Sequence, residues 1–234
     1  MQSVVPAAGR GSRLGALTAD RPKPLVPVAG KPLVEHALDA LSLPSVDEYV
    51  VVVGYRGDQI REAVGDRYAG RPVTYVEQPD PRGLADALLC AEPAVEGPFL
   101  HCNADNVFAA DLSRLAARRT ETDADAVLLT ERVSEAEARE TGVLVREGGT
   151  LRVVEKPEHP PSREVQTGAF AFSPAVFDAC RALSPSDRGE YELSDAVSRL
   201  AREGRVETLE LRPGEWRVNV NTADDIASAA RRLR

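Results

Sequence analysis

The sequence has little cysteine, and its three cysteines, Cys90, Cys102 and Cys180, form no Cys-x-x-Cys pair. An odd number without a disulfide framework favours reduced thiols and a cytoplasmic location. No apolar run approaches the roughly 18 residues that a membrane-spanning helix requires, and the N-terminus lacks the basic stretch of a signal peptide. The formal charge of −8 argues against nucleic-acid binding, because phosphate backbones require a basic surface. These absences predict a cytoplasmic protein that contacts neither membranes nor nucleic acid.

Lysine is scarce as well: of 29 basic residues only three are lysine, Lys23, Lys31 and Lys156, and each is followed by proline. The planar fork of arginine and the compact point charge of lysine do not substitute freely at a tight site. In a chain that otherwise uses arginine, Lys23 and Lys156 are therefore candidates for required ammonium groups. Lys31 is a weaker candidate, because it directly precedes a helix that Pro32 would open. Chance survival of three lysines is the alternative.

Short apolar runs alternate with helical patterns through the first half of the chain. Residues 33–41 and 84–91 carry apolar side chains at helical spacing, whereas residues 49–53 form a β-branched run typical of a buried parallel strand. This order predicts an α/β fold with a doubly wound, mostly parallel, Rossmann-like sheet. Strand-like runs separated by turns such as Gly148-Gly149 predict a small antiparallel flap in the second half. We expect residues 1–234 to form a single domain.

A glycine-rich turn follows the first predicted strand, with the sequence Ala7-Ala8-Gly9-Arg10-Gly11-Ser12-Arg13-Leu14-Gly15. Such a loop can bring backbone N–H groups against phosphates. Leu14 stands where a dinucleotide-binding loop needs glycine, and no Walker A ending is present. By itself, the loop is as consistent with a structural turn as with a phosphate cradle. The segment Pro22-Lys23-Pro24 adds a cation held between prolines, which suits charge stabilisation in phosphoryl-type transfer.

The stretch of residues 7–32 resembles the signature of the sugar-1-phosphate nucleotidyltransferases, the family of glucose-1-phosphate thymidylyltransferase. In that family a Gly-x-Gly-x-Arg-Leu loop precedes a Pro-Lys-Pro segment. Further matching motifs extend the resemblance over nearly the whole chain: Gly54-Tyr55-Arg56, residues 78–87, Asn103-Ala104-Asp105-Asn106, Glu155-Lys156-Pro157, Thr167-Gly168 and residues 188–192. The resemblance implies a catalytic domain alone. It also implies a Mg²⁺-dependent enzyme that joins a nucleoside triphosphate, dTTP or UTP favoured, to a sugar 1-phosphate, glucose 1-phosphate favoured, giving an NDP-sugar and pyrophosphate.

The same resemblance implies roles for individual residues. The catalytic cations would be Arg13 and Lys23. The nucleotide would be bound by Ala8, Gly9, Gly11, Gln78 and Gly83. The sugar phosphate would be bound by Gly142, Glu155, Lys156, Thr167 and Gly168. The ligands of Mg²⁺ would be Asp105 and Asn219, and asparagine at position 219 departs from the aspartate that is usual in the thymidylyl branch.

Each of these roles has a plainer alternative. Gln78 could be an ordinary loop glutamine, Glu155 and Lys156 a surface ion pair, and Asn219 a residue that shapes the turn before the last helix. Two other functions also stay open. One is a cytidylyl- or guanylyltransferase acting on another phosphorylated acceptor. The other is a non-catalytic regulatory relative, which we expect to have lost its catalytic cations. A homo-oligomer is compatible with the resemblance, and the sequence does not specify a number of subunits.

Overall fold

The computed structural model describes residues 1–9 and 11–234, apart from the side chains of Ser12 and Arg13. Parallel and antiparallel strands alternate with helices along the chain. The strands are β1 (Gln2–Pro6), β2 (Pro27–Val28), β3 (Lys31–Pro32), β4 (Glu48–Val53), β5 (Arg67–Tyr68), β6 (Arg71–Glu77), β7 (Phe99–Cys102), β8 (Asn106–Ala109), β9 (Ala126–Arg132), β10 (Gly142–Glu147), β11 (Thr150–Glu155), β12 (Glu164–Phe172), β13 (Val206–Glu210) and β14 (Trp216–Asn219).

The helices connect these strands and cover the sheet. They are α1 (Leu33–Ala40), α2 (Gly57–Val64), α3 (Leu84–Ala91), α4 (Ser113–Thr122), α5 (Glu135–Ala138), α6 (Ala175–Arg181), α7 (Leu193–Glu203) and α8 (Ala223–Arg232). Short 3₁₀ helices occupy Ser12–Thr18, Lys23–Leu25 and Glu92–Ala94. Within the described residues, no helix combines the length and the apolar character that crossing a membrane demands.

The centre of the main sheet is parallel, with neighbouring strands in the order β7-β1-β4-β6. Beyond β7 the sheet turns antiparallel, because β12 pairs with β7 and also with β9 and β10. The predicted doubly wound, mostly parallel α/β fold is confirmed. The antiparallel strands of the second half extend the same hydrogen-bonded sheet, so the expected flap is its continuation.

Two apolar layers cover the two faces of the sheet, because successive residues of a strand point to opposite sides. Val50 and Val52 of β4 belong to one buried cluster, which includes side chains of α3, α6 and α7. Val51 and Val53 belong to the other, which includes side chains of α1, α2 and α4. Residues 49–53 are therefore apolar throughout, since both faces of this central strand are buried.

A separate two-stranded ribbon, formed by β8 and β14, follows the end of β7 and positions several polar groups. Asn219 lies opposite Asn106 in this antiparallel pair. The other face of the ribbon packs into a third apolar cluster, to which Trp216 and Val218 contribute. Helix α8 begins after the ribbon at its N-cap Thr222, whose side chain forms a capping box with that of Asp225.

Candidate active site

The glycine-rich turn lies at the carboxyl end of β1, the edge of a parallel sheet where ligands usually bind. Gly11 has φ +73°, and a Cβ atom there would lie 2.3 Å from Cβ of Lys23. Glycine is therefore required by the close approach of the lysine-bearing segment. Ala8 and Gly9 line the adjoining cleft with Gly11. The side chain of Arg13, the other predicted catalytic cation, lies outside the described part of the chain.

Lys23 opens the short helical turn Lys23–Leu25, whose Pro24 is buried. Its ammonium donates to Asp105 Oδ2 at 2.8 Å and to Asn221 Oδ1 at 2.9 Å. The lysine side chain is 13% exposed and that of Asp105 is 32% exposed, so the carboxylate still faces the cleft. The structure thus brings together the predicted cation and the predicted metal ligand.

Gln78 follows β6 and is 5% exposed. Its side-chain amide nitrogen donates to Gly83 O at 3.1 Å and to Asp86 Oδ2 at 2.7 Å. Both acceptors require a donor, so the orientation of the amide is fixed. Because the two N–H bonds are used within the chain, the carbonyl oxygen Oε1 is the atom left for a ligand.

A cleft of about 370 Å³ contains the predicted nucleotide-binding residues. Gly83 has φ +105°, and a Cβ atom there would lie 2.6 Å from the carbonyl oxygen of Tyr191. The glycine therefore permits close packing of two backbone segments beside the cleft. Among the lining residues are Ala8, Gly9, Gly11, Lys23, Gln78, Gly83, Leu84, Asn103 and Asp105.

A second, smaller cavity of about 120 Å³ adjoins the cleft and shares Leu84, Asn103 and Asp105 with it. Glu155 stands at the end of β11, where its carboxylate accepts a 2.5 Å hydrogen bond from Ser194 Oγ. Lys156 Nζ lies 3.8 Å from Glu155 Oε1. Burial raises the pKa of the Glu155 carboxyl above its ordinary value. Both predicted residues therefore face the second cavity as a loosely paired cation and carboxylate.

The remaining predicted sugar-pocket residues, Gly142, Thr167 and Gly168, also line this cavity. A Cβ atom on Gly142 would lie 2.4 Å from Gln166 Nε2. Gly168 has φ +83°, and a Cβ atom there would lie 2.8 Å from Asn103 Nδ2. The hydroxyl of Thr167 donates to Leu129 O at 3.0 Å, which places it in a structural hydrogen bond.

The groups that could hold a divalent cation are Asp105 and Asn219. Asn219 Oδ1 is buried and has no hydrogen-bond partner among the described residues. A backbone hydrogen bond holds the two residues close together, because the N–H of Val220, the neighbour of Asn219, donates to the carbonyl oxygen of Asp105 at 2.8 Å. Within the described chain no three His, Cys, Asp or Glu side chains group into a metal site. One carboxylate and one unpartnered amide oxygen fit Mg²⁺, which binds through few protein ligands together with substrate phosphates.

Several polar residues around the two cavities escaped prediction. Asn221 holds Lys23, and Gln166 donates to Ser194 Oγ at 2.9 Å. Arg217 is 8% exposed and contacts Asn106. The motif around Asn103 and Asn106 was visible in the sequence. The contacts of Asn221 and Arg217 join distant segments, so no local pattern signals them.

The arrangement has the parts that phosphoryl-type chemistry uses. The glycine-rich turn and the ammonium of Lys23 face the larger cleft. Lys156 and the neighbouring carboxylate of Glu155 face the smaller cavity on the other side of the wall that the two share. Two substrates bound in the adjoining cavities would meet at Asp105 and Lys23. Positioning and electrostatic stabilisation supply most of the catalysis in such reactions.

Comparisons with known proteins agree with this geometry. The family model described as nucleotidyl transferase matches residues 2–233. The chain is 43% identical over 236 residues to UTP–glucose-1-phosphate uridylyltransferase AglF of Haloferax volcanii, covering 100% of this chain and 96% of that protein. It is 35% identical over 227 residues to glucose-1-phosphate thymidylyltransferase of Streptomyces griseus, covering 96% of this chain but 64% of that protein.

A solved structure shares the fold. UDP-glucose pyrophosphorylase complexed with UDP-glucose superposes with a TM-score of 0.89 at 21% identity, covering 99% of this chain and 97% of that one. The sequence-based recognition of the sugar-1-phosphate nucleotidyltransferases is confirmed by these findings together. The chain belongs to the nucleotidyl transferase family.

Proposed function

We propose that this enzyme transfers a nucleotidyl group from UTP or dTTP to a sugar 1-phosphate, with glucose 1-phosphate the preferred acceptor. The observation that carries the proposal is the position of the Lys23–Asp105 pair. Asp105 lines both cavities, and Lys23 reaches it from the helical turn Lys23–Leu25, which packs against the glycine-rich turn. The triphosphate would occupy the larger cleft and the sugar phosphate the smaller cavity, with the reacting phosphates at the shared wall.

The choice of base rests on Gln78. With both amide hydrogens donated within the chain, Oε1 can only accept. Uracil and thymine carry an N3–H group that can donate a hydrogen bond to this oxygen, whereas N3 of cytosine is itself an acceptor. The 43% identity to a UTP-dependent relative over the whole chain supports the same choice.

In the proposed reaction, an oxygen of the sugar phosphate attacks the α-phosphorus of the nucleotide. A new phosphorus–oxygen bond forms, the bond to the β-phosphate oxygen breaks, and pyrophosphate leaves with that electron pair. Lys23 would transfer its hydrogen bond from Asp105 to the α-phosphate, where negative charge develops. Lys156 would bind the phosphate of the acceptor, and Glu155 would accept hydrogen bonds from sugar hydroxyls.

Asp105 and Asn219 would hold Mg²⁺, which would neutralise charge on the phosphates when bound with the nucleotide. The unpartnered Oδ1 of Asn219 supports this assignment. With one charged ligand, the protein would bind the ion weakly until the triphosphate supplies further oxygens.

The test is a pyrophosphate-release screen of ATP, GTP, CTP, UTP and dTTP against glucose 1-phosphate, N-acetylglucosamine 1-phosphate and mannose 1-phosphate. We expect turnover with UTP or dTTP and glucose 1-phosphate that stops when EDTA removes Mg²⁺. Turnover confined to GTP and mannose 1-phosphate would refute the base and sugar assignments. Release of phosphate without a sugar acceptor would refute nucleotidyl transfer itself.

A further inference from the structure

Arg217 is one of the residues that line the smaller cavity, and it reaches the proposed metal ligand Asp105 through Asn106. In the β8–β14 ribbon Asn219 pairs with Asn106, and Arg217 pairs with Phe108. Residues two apart in a strand share a face, so Arg217 lies on the same face as Asn219. The same register places its side chain diagonally across from Asn106.

The guanidinium is buried and held from behind by Glu131. The side chain of Arg217 is 8% exposed and that of Glu131 is 17% exposed, and Arg217 Nε donates to Glu131 Oε1 at 2.6 Å. A buried ion pair is weak evidence for a role in stability, because desolvation of both groups offsets their attraction. The pair does fix the geometry of the guanidinium. Because Nε and Nη2 both contact Glu131, the remaining nitrogen Nη1 points in a fixed direction.

That other nitrogen, Nη1, donates to Asn106 Oδ1 at 3.0 Å. Asn106 is 1% exposed, and its Nδ2 donates to Asp105 Oδ1 at 3.0 Å. Arginine has only donors, so the amide oxygen must face it and the amide nitrogen must face the carboxylate. A flipped amide would set donor against donor at Arg217 and acceptor against acceptor at Asp105.

We infer that Arg217 is a positioning residue: through Asn106 it occupies Oδ1 of Asp105 and thereby directs Oδ2 toward the reaction centre. Oδ2 is the oxygen that accepts from Lys23. The inference rests on the proposed function, in which Asp105 contributes to binding Mg²⁺ with the nucleotide. The buried Glu131–Arg217 pair would therefore increase the extent to which Mg²⁺ tightens the binding of the triphosphate.

The experiment measures the Kd of UTP by calorimetry in Mg²⁺ and in EDTA, without sugar phosphate so that no turnover occurs. The readout is the Kd in EDTA divided by the Kd in Mg²⁺, which measures how much Mg²⁺ tightens the binding of UTP. In Arg217→Met this ratio should fall by about 10–100-fold, the usual loss when a partner of a metal ligand is removed. The Kd in EDTA should change little. The same ratio in wild type and a folded Arg217→Met would overturn the inference.

Arg114→Met is the matched control. Arg114 forms a comparably buried ion pair, with side chains 16% and 14% exposed and Nη1 at 3.0 Å from Glu215 Oε2, and it does not contact Asn106. It should lose thermal stability but keep the wild-type ratio. An equal fall of the ratio in this control would show a general structural effect and overturn the inference.

Arg217→Lys covers the case in which Arg217→Met does not fold. It keeps a positive charge toward Glu131 but lacks the fork, so its ratio should lie between those of wild type and Arg217→Met. A wild-type ratio in Arg217→Lys would then overturn the inference. If wild type itself bound UTP no more tightly in Mg²⁺ than in EDTA, the proposed metal role would fail first, and this inference with it.

Discussion

The ammonium of Lys23 lies 2.8 Å from Oδ2 of Asp105, although 82 positions separate the two residues in the chain. The two opposite charges compensate each other. In the proposed reaction both exchange this partner for the triphosphate, Lys23 turning to a phosphate and Asp105 to the accompanying cation. The contact therefore holds both groups at the place where charge will develop.

The proposed role of Lys23 predicts that Lys23→Arg is severely impaired although the charge is retained. The planar fork is larger than the ammonium that lies within hydrogen-bonding distance of both Asp105 Oδ2 and Asn221 Oδ1, so it cannot take the same place. We expect kcat in the pyrophosphate-release assay to fall by about 10²–10³, the usual effect of losing one preorganised stabilising group. Lys31→Arg is the control, because Lys31 pairs with Asp39 in an exposed position. Near wild-type turnover in a folded Lys23→Arg protein would disprove the role.

Gln78→Met should weaken the preference for UTP over CTP. The substitution removes Oε1, and it leaves Asp86 paired with Arg82 at 2.7 Å. We expect the ratio of kcat/KM for UTP to that for CTP to fall by about tenfold, the value of one hydrogen bond. Gln59→Met is the control, because Gln59 donates to Asp20 O at an exposed site. An unchanged ratio would mean that Gln78 does not contact the base.

Asp105 and Asn219 can be separated by reciprocal substitutions. Asp105→Asn removes the one charged ligand and should abolish activity at ordinary Mg²⁺ concentrations. Asn219→Asp should stay active and bind Mg²⁺ more tightly without nucleotide, because it adds a second carboxylate. Calorimetric titration of Mg²⁺ measures this directly. Undetectable binding in both wild type and Asn219→Asp, with Asp105→Asn still active, would place the metal elsewhere.

The buried His101 predicts a specific sensitivity to acid. Burial lowers its pKa to about 4. The unfolded chain takes up a proton near pH 6.5 while the folded chain resists it, so stability present above pH 6.5 is lost as the pH falls through about 4. From the difference between the two pKa values, wild type should lose on the order of 3 kcal/mol more than His101→Gln between pH 7 and pH 4.

Urea unfolding at several pH values measures this difference. His159→Gln serves as the control, because His159 is exposed. Parallel stability profiles for wild type and His101→Gln would show that His101 titrates alike in the folded and unfolded chains.

The sequence allowed most of the sheet and helices to be predicted, because their signals are local. The apolar run of residues 49–53 predicts a strand whose two faces are both buried, and the structure buries all five residues. The α3 helix (Leu84–Ala91) has the predicted bounds. Strand β8 (Asn106–Ala109) was missed, since four residues carry too little periodicity to distinguish a strand from a loop.

The sequence suggests residues for the candidate site but not the contacts between them. Lys23 and Asp105 were both identified, whereas Asn221 was not, because its contact with Lys23 spans 198 positions. Gln78 was identified as a nucleotide-binding residue, but the sequence does not show that the fold uses both of its amide hydrogens. Such details depend on side chains from separate elements meeting within hydrogen-bonding distance, which no local pattern records.

The most direct test of nucleotidyl transfer follows the phosphorus atoms of UTP. The enzyme is incubated with glucose 1-phosphate, Mg²⁺ and UTP labelled at either the α- or the γ-phosphate, and the products are separated. We expect the α label to appear in UDP-glucose and the γ label in pyrophosphate, and neither to appear at the wild-type rate with Lys23→Arg. Transfer of the γ label to the sugar phosphate, or hydrolysis of UTP without a labelled sugar nucleotide, would contradict nucleotidyl transfer.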